Sequence, residues 1–468
     1  MDEAKDYNEF ADELCERVSK ETSPPLLNYL AFYHAFNQQK FSLVRELEKK
    51  VTASDLAKPL VHVTHPWGVI DWDDFQKSVA LALKAAPNDW IACHIYMAWR
   101  MAIESIAVYP ERLTDLEPLR ILESKIKSDE DFSFFLSPLQ HLKAWEMSRE
   151  GKMEEAKTWY DRAITTAKKH GRSDHVAAIL IDKAQMIKNV NFTEALSILK
   201  IHRNVSDELG LVFTNAMNDL ILGYIAQARG EYEKAINHLE DLVKAIGTLG
   251  WDSLANFQTC QIARQYNQML DGARALEITT DVLEGYQSPS PWYPYIQQTW
   301  ALINLDRLDE AAQTLDLTRG KPLRSGGDLS LGYIHFFDGL LHKKKSEFPS
   351  AKFELEQAHS LFGSFPGINL TLIELTKVEI EMFSYGEKAA KVDVSGPWMQ
   401  ALIEHVEEKD IPGIAAQANL LKAKFRFKQG RSSEAKKLVK RVLKTSETSG
   451  MNYLKNMVES LLPELLVS

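Results

Sequence analysis

Residues Leu222 to Leu242 read LGYIAQARGEYEKAINHLEDL. Apolar residues at helical spacing run up to Gly230 and resume after it, so the stretch is two short helices joined by a tight turn. Gly223 in the first helix and Ala235 at the head of the second are small where two antiparallel helices must approach closely, and Gly230 with Tyr232 marks the turn. One hairpin of this kind exposes two apolar stripes and cannot bury them alone, so its neighbours in the chain must do so.

The neighbours repeat the plan. A small residue heads each second helix at Ala156, Ala195, Ala235, Ala275, Ala311, Ala351 and Ala435, with successive gaps of 39, 40, 40, 36, 40 and 84 residues. The last gap is two units of 42, which predicts a divergent hairpin between Gly363 and Asp410, broken by Gly386 and Gly396-Pro397. The turns before the alanines are alike as well: GKMEEA, NVNFTEA, RGEYEKA, NLDRLDEA, KSEFPSA and QGRSSEA. The expected fold is therefore all-α, a right-handed superhelical array of antiparallel hairpins whose inner wall is lined by the first helix of each pair.

Upstream the rhythm weakens. Helical spacing is evident in Tyr7 to Val18, Leu26 to Phe36 and Phe41 to Val51, with Pro24 and Pro25 separating the first two. Pro59, Pro66 and Gly68 break the stretch from Asp55 to Asp74, and repeat-like helices follow from Phe75 until Tyr109-Pro110. We expect an irregular helical N-terminal cap over 1–115 and the regular array over 116–468. The stripe Met451, Leu454, Met457, Val458, Leu461 and Leu462 in the final helix suits either a cap on the last hairpin or a contact with a second copy, and the cap is the expected role.

Composition bounds the function. The chain has 468 residues, 45% of them hydrophobic and 26% charged, which is an ordinary folded composition, and its net charge of -10 disfavours a general nucleic-acid coat. Cys15, Cys93 and Cys260 are odd in number and far apart, as expected of reduced thiols. The acidic N-terminus lacks the pattern of a signal peptide, and no apolar window is long enough to span a membrane, so the expected location is cytoplasmic.

The repeat residues resemble the tetratricopeptide (TPR) superfamily. Gly223, Gly230, Tyr232, Ala235 and Leu239 follow its pattern of small, turn and large positions, as do Gly339, Phe348, Ala351, Leu355 and Ala358, and less fully Gly151, Met153, Ala156 and Tyr160. The unit is longer than the family's usual length of about 34 residues. In that respect it is similar to the sensor domains of MalT-type transcription activators, but no GxxxxGK[ST] loop and no evident helix-turn-helix after Ser446 accompany it. The resemblance implies a TPR-like α-solenoid that binds rather than catalyses, and it implies inner-wall positions. These are His141, Trp145 and Arg149; Tyr224 and Gln227; Arg264 and Asn267; Tyr293, Trp300 and Asn304; and Lys343, Lys344, Lys424 and Lys428.

Aromatic, amide and cationic side chains on a concave wall supply a groove with apolar area and a few fixed polar handles. The same aromatics also suit packing between helices. The run SPSPWYPYIQQTW, Ser288 to Trp300, reads either as an aromatic platform or as a helix start with Pro294 in its first turn, and the helix start is preferred. From Lys422 to Lys444 ten basic residues face one acid, Glu434, and Lys436, Lys440 and Lys444 share a helical face. Such a face suits an acidic peptide, a carboxylate or phosphate, and equally a solvated surface. His62, His65, Asp71, Asp73 and Asp74 match no familiar metal spacing, and Cys93 beside His94 does not make a nucleophile pair on a helix. No enzyme, cofactor or metal is expected. The expected function is recognition of a peptide or partner protein, including one with an acidic segment, by a scaffold. The alternative is a regulatory small-molecule sensor, with nucleic acid disfavoured and no membrane.

Overall fold

A computed structural model of the chain describes residues 7–20, 25–54 apart from 38, a few positions between 80 and 124, and 135–462 apart from 189, 249–251, 286–291, 320–326, 363–366 and 384–391. The expected boundary at 115/116, the metal-ligand candidates His62 to Asp74 and the Cys93-His94 pair lie outside the described residues. So does the first part of the aromatic run, Ser288 to Pro291. The chain forms two compact units, Met1–Asn218 and Asp219–Ser468.

In the first unit α1 (Tyr7–Lys20), α2 (Pro25–Asn37) and α3 (Phe41–Thr52) pack in order, and the hairpins α4/α5 (Leu136–Arg149, Met153–Lys169) and α6/α7 (Ser173–Ile187, Phe192–Glu208) follow. Gln39 joins the two ends of this unit, because its Oε1 accepts from the Phe213 amide at 2.5 Å. Helix α8 (Val212–Arg229) and α9 (Tyr232–Thr248) are the hairpin of the quoted stretch. The second unit continues with α10 (Asp252–Gln268), α11 (Gly272–Gly285), α12 (Trp292–Asn304), α13 (Leu308–Arg319), α14 (Gly327–Lys344) and α15 (Phe348–Phe362). It ends with α16 (Gly367–Met382), α17 (Pro397–Glu408), α18 (Pro412–Lys428), α19 (Ser432–Ser449) and α20 (Tyr453–Leu461). Within it α10, α12, α14, α16 and α18 touch in succession, which makes the first helices of the hairpins a continuous inner layer.

The repeated alanines explain the regularity. All seven are fully buried, and each is the fourth residue of its helix, at the closest approach to the helix before it. Five residues before six of the seven, Ala195 being the exception, the chain turns through a left-handed conformation. The turn residue is Gly151, Gly230 or Gly430 in three hairpins, and Leu270, Asp306 or Ser346 in three others, with φ of 65°, 57° and 61°. Next to it the same backbone bond recurs: Glu231 N donates to Ala226 O at 2.8 Å, Arg307 N to Leu302 O at 2.9 Å and Glu347 N to His342 O at 2.9 Å. That is the hydrogen-bonded helix stop in which a left-handed residue satisfies carbonyls the helix leaves open.

The interval Gly363 to Asp410 does hold a divergent hairpin, α16/α17. Glu379 starts its second helix by accepting from the Trp398 and Met399 amides at 3.1 and 2.9 Å, a carboxylate on a helix N-terminus. Helix α20 caps the second unit: Tyr453, Leu454, Met457 and Val458 are buried against α18 and α19. Trp292 and Tyr293 open α12 with Pro294 in the first turn, so this part of the aromatic run is a helix start. Among the described residues no helix is long and apolar enough to cross a membrane.

Candidate functional site

Eleven candidate positions, from Tyr224 to Lys428, fall on the first helices of the hairpins of the second unit, and the chain closes over this layer. The α8–α9 turn meets the start of α18, where Gly230 and Gly413 lie backbone to backbone: a Cβ on Gly413 would stand 2.3 Å from Gly230 O. Only glycine permits that approach. Around it the Tyr453 hydroxyl donates to Gly230 O at 2.7 Å, Asn369 Nδ2 donates to Ala228 O at 3.1 Å, and the Tyr453 amide donates to a Glu233 oxygen at 3.0 Å. Arg229 pairs with Asp410 at 2.5 Å, and Gln417 Nε2 donates to the Tyr232 hydroxyl at 3.1 Å. The first and last hairpins of this unit therefore touch, and its inner wall bends round a partly open chamber where the sequence suggested an open groove.

A cavity of about 580 Å³ remains inside, lined among others by Tyr232, Asn267, Gln268, Trp300, Asn304, Lys343, Lys344 and Gln417. Its charges are largely matched within the chain. Lys343 and Lys377 both reach Glu374, and Lys344 reaches Asp306. Burial by itself would raise the Glu374 carboxyl, but the two lysines outweigh it and hold it at about 2. Asn267 and Asn304 are also engaged: Asn267 Nδ2 donates to Gln297 O at 2.9 Å, and Asn304 Nδ2 to Asn267 O at 3.0 Å, which pins α12 to α10. Trp300 is buried, edge-on to Phe336 and Phe337 at 5.8 and 5.7 Å. For these side chains packing and pairing account for the polar groups.

One helical turn back from Gln268 they do not. Arg264 is 5% exposed, with its Nε and Nη2 buried and without a hydrogen-bond partner. The groups within its electrostatic reach are the phenols of Tyr224, Tyr232, Tyr293 and Tyr333, and its guanidinium lies 5.7 Å from the Tyr333 ring centre. Burial pushes the Tyr224 and Tyr232 phenols up to about 12 and Tyr293 well above its ordinary value, with Arg264 opposing each shift. All three are thus neutral at physiological pH and offer no counter-charge. The Tyr293 hydroxyl is close enough to act on Arg264, in a geometry that falls short of a well-formed hydrogen bond. Further unpaired buried amide atoms lie on α8, α10 and α12, the helices that carry Tyr224, Arg264 and Tyr293: Gln227 Nε2, Gln258 Oε1, Gln261 Oε1, Gln268 Nε2 and both polar atoms of Gln297.

The sequence reading named Tyr224, Gln227, Arg264 and Tyr293 but omitted Gln258, Gln261, Gln268 and Gln297. The signal was present in QTCQIARQYNQ, Gln258 to Gln268, where Gln258, Gln261, Gln265 and Gln268 recur at helical spacing on an inner helix.

Elsewhere the candidates are engaged locally. In the first unit His141 is fully buried. Its Nδ1 lies 3.3 Å from His175 Nε2 and its Nε2 2.9 Å from an Asp182 oxygen, while Ser137 Oγ lies 3.2 Å from His175 Nδ1. The order Ser-His-His-Asp imitates a catalytic relay, but Ser137 is itself buried and lies 2.9 Å from the Ala163 carbonyl oxygen, so no face is open to a substrate. Trp145 packs 4.7 Å from the His141 ring. The Arg149 side chain lies outside the described residues. Lys424 and Lys428 share Glu381 at 2.8 and 2.5 Å, and Arg426 and Arg431 share Asp393. Two of the acids that neutralise this basic run, Glu381 and Asp393, lie more than thirty residues away in sequence, and the third, Glu434, lies within it and pairs with Arg431. Its second half differs: Lys437, Lys440, Arg441 and Lys444 are exposed, Lys436 is half-buried, and no described carboxylate pairs with any of them.

No known family model matches the chain, and no curated protein matches it. Among solved structures it is similar to yeast Tom70 at 12% identity, covering 98% of this chain and 96% of that one with a TM-score of 0.36. It is also similar to a human IFIT1 dimer with m7Gppp-AAAA at 11% identity, covering 95% and 96% with a TM-score of 0.35. Likenesses at this level do not indicate what this chain binds.

Proposed function

We propose that the chain is a TPR-like binding protein without chemistry of its own, and that the unit Asp219–Ser468 is a receptor for a small molecule. The observation that supports this is the set of buried, unpaired polar groups around Arg264, next to a cavity of about 580 Å³. Buried polar groups in folded proteins are satisfied by protein, water or ligand, and each one left alone costs about 1–3 kcal/mol. The cavity volume suits a drug-sized ligand. An extended peptide fits poorly, because the turn at Gly230 and Gly413 closes the wall along which it would lie. The MalT-like reading, a sensor passing occupancy to a partner, agrees with this arrangement: α10, α12, α14, α16 and α18 all carry residues that line the cavity, so a ligand would draw successive hairpins together.

Native mass spectrometry of the gently purified full chain tests the proposal. A bound small molecule at one per chain, released on denaturation, is the expected result. A bare mass that no metabolite pool restores counts against it.

Recognition of an acidic partner protein is the second reading, supported by the unneutralised face Lys436, Lys437, Lys440, Arg441 and Lys444. Charge reversal in K440E/K444E should abolish partner capture from cell extract while leaving small-molecule binding intact; unchanged capture removes this reading.

A further inference from the structure

Two other arginines of the second unit show what Arg264 lacks. Arg307 Nε and Nη2 hold the two oxygens of Glu310 at 2.7 and 2.6 Å, and Arg431 holds Glu434 by the same two nitrogens at 2.7 Å each. Nε–H and Nη2–H point the same way from one edge of the guanidinium and match the two oxygens of a carboxylate. The Arg307 pair is exposed and the Arg431 pair is only half-buried, where such contacts contribute little. In Arg264 the same edge is buried and empty of protein partners.

A guanidinium cannot shed its proton to become neutral, as a buried lysine can, and a buried carboxylate escapes the opposite way by taking a proton up. Its charge stays, and an uncompensated buried charge is among the costlier features a fold can hold. We propose that the Nε/Nη2 edge of Arg264 receives the carboxylate of a small organic acid held in the chamber. This rests on the reading of the unit as a small-molecule receptor and adds the class of the ligand.

Three observations select that class. The surroundings supply one cation and neutral phenols, so a single negative charge balances the site. A phosphate dianion would need a second cation, and Lys343, Lys344 and Lys377 are already paired with Glu374 and Asp306. The unpaired amides include donors, at Gln268 and Gln297, and acceptors, at Gln258 and Gln261, which complement hydroxyl or amide groups on the ligand. A plain hydrocarbon acid would leave them unsatisfied. The Tyr333 ring beside the guanidinium holds its plane and leaves the edge free. The ligand is therefore a hydroxylated or amide-bearing monocarboxylate.

The test uses the dialysed full chain, melted with sodium gluconate, lactate, N-acetylglycinate and acetate against chloride and inorganic phosphate at equal ionic strength. Gluconate, lactate or N-acetylglycinate should raise Tm more than acetate, and phosphate should act as chloride does. Arg264→Met should remove the shift, and Arg264→Lys, which keeps the charge but not the fork, should weaken binding by roughly tenfold or more. Without any acid, R264M should melt above the wild type, because the variant no longer buries an unpaired charge. Overturning results are a phosphate shift equal to that of the acids, no shift with any acid, or an R264M that melts lower and still responds. A neutral small molecule retained by both wild type and R264M would leave the receptor reading standing and remove the acid. A chain that binds no small molecule of any charge removes both.

Discussion

At position 346 a serine holds the left-handed backbone that glycine holds at positions 230 and 430. A side chain there crowds its own carbonyl, and nothing else in the turn needs it, so Ser346→Gly should stabilise the chain by about 0.5–1 kcal/mol in urea unfolding. The small residues facing the repeated alanines behave oppositely. A Cβ on Gly339 would lie 2.7 Å from Leu355 Cγ, and one on Gly223 would lie 3.3 Å from Leu239 Cγ, at the equivalent place in another hairpin. Gly339→Ala should therefore destabilise by about 1–3 kcal/mol, and Gly223→Ala by clearly less. Equal losses would mean that the two hairpins are not built to one spacing. Both glycines were recognisable from sequence because the register of the alanines placed them. The difference in room was not, since it depends on how far each helix pair has closed.

At the scale of elements, helix and turn positions were legible because a short period repeats: helix starts follow from Ala156, Ala235 or Ala435, and turn conformations from the residue five before. The capping role of α20 and the start of α12 at Trp292 followed from apolar spacing and from Pro294. Salt-bridge partners were hidden. Lys424 and Lys428 look like a free basic face until α16 brings Glu381 between them, and Lys343 looks free until Glu374 arrives from the next hairpin. The closing contact was hidden for the same reason, because Gly230 and Gly413 are 183 positions apart in the chain. Gly413→Ala should force that contact open. We expect a loss of about 2–4 kcal/mol together with faster amide exchange in α8, α18 and α20; a variant with unchanged exchange there would show that the inner wall is not held shut at this point.

At the scale of the whole molecule, the first unit carries a built-in sensitivity to acid. Burial pushes His34 down to about 3, with Arg172 adding to it, and His202 down to about 4. His175 lies well below its ordinary 6.5, because of burial first and then Arg172 and His141. In the unfolded chain each takes up a proton near pH 6.5, whereas in the folded unit each stays neutral until far lower pH. The unfolded state thus binds more protons in that window, and stability falls as the pH drops from about 6.5 towards about 4. Each histidine contributes about 1.4 kcal/mol per pH unit there, and three together about 4. Replacing His202 by Gln should reduce the slope of stability against pH by about a third; an unaltered slope would assign the acid sensitivity to other groups.

The second unit poses the functional question, since it buries a charge and several amides that nothing among the described residues satisfies. An electron-density map of the full chain, purified without dialysis, tests this most directly. The account predicts a small molecule in the chamber with two oxygens on the Nε and Nη2 of Arg264. A chamber filled by the chain's own side chains, with a protein carboxylate on that edge, would contradict it.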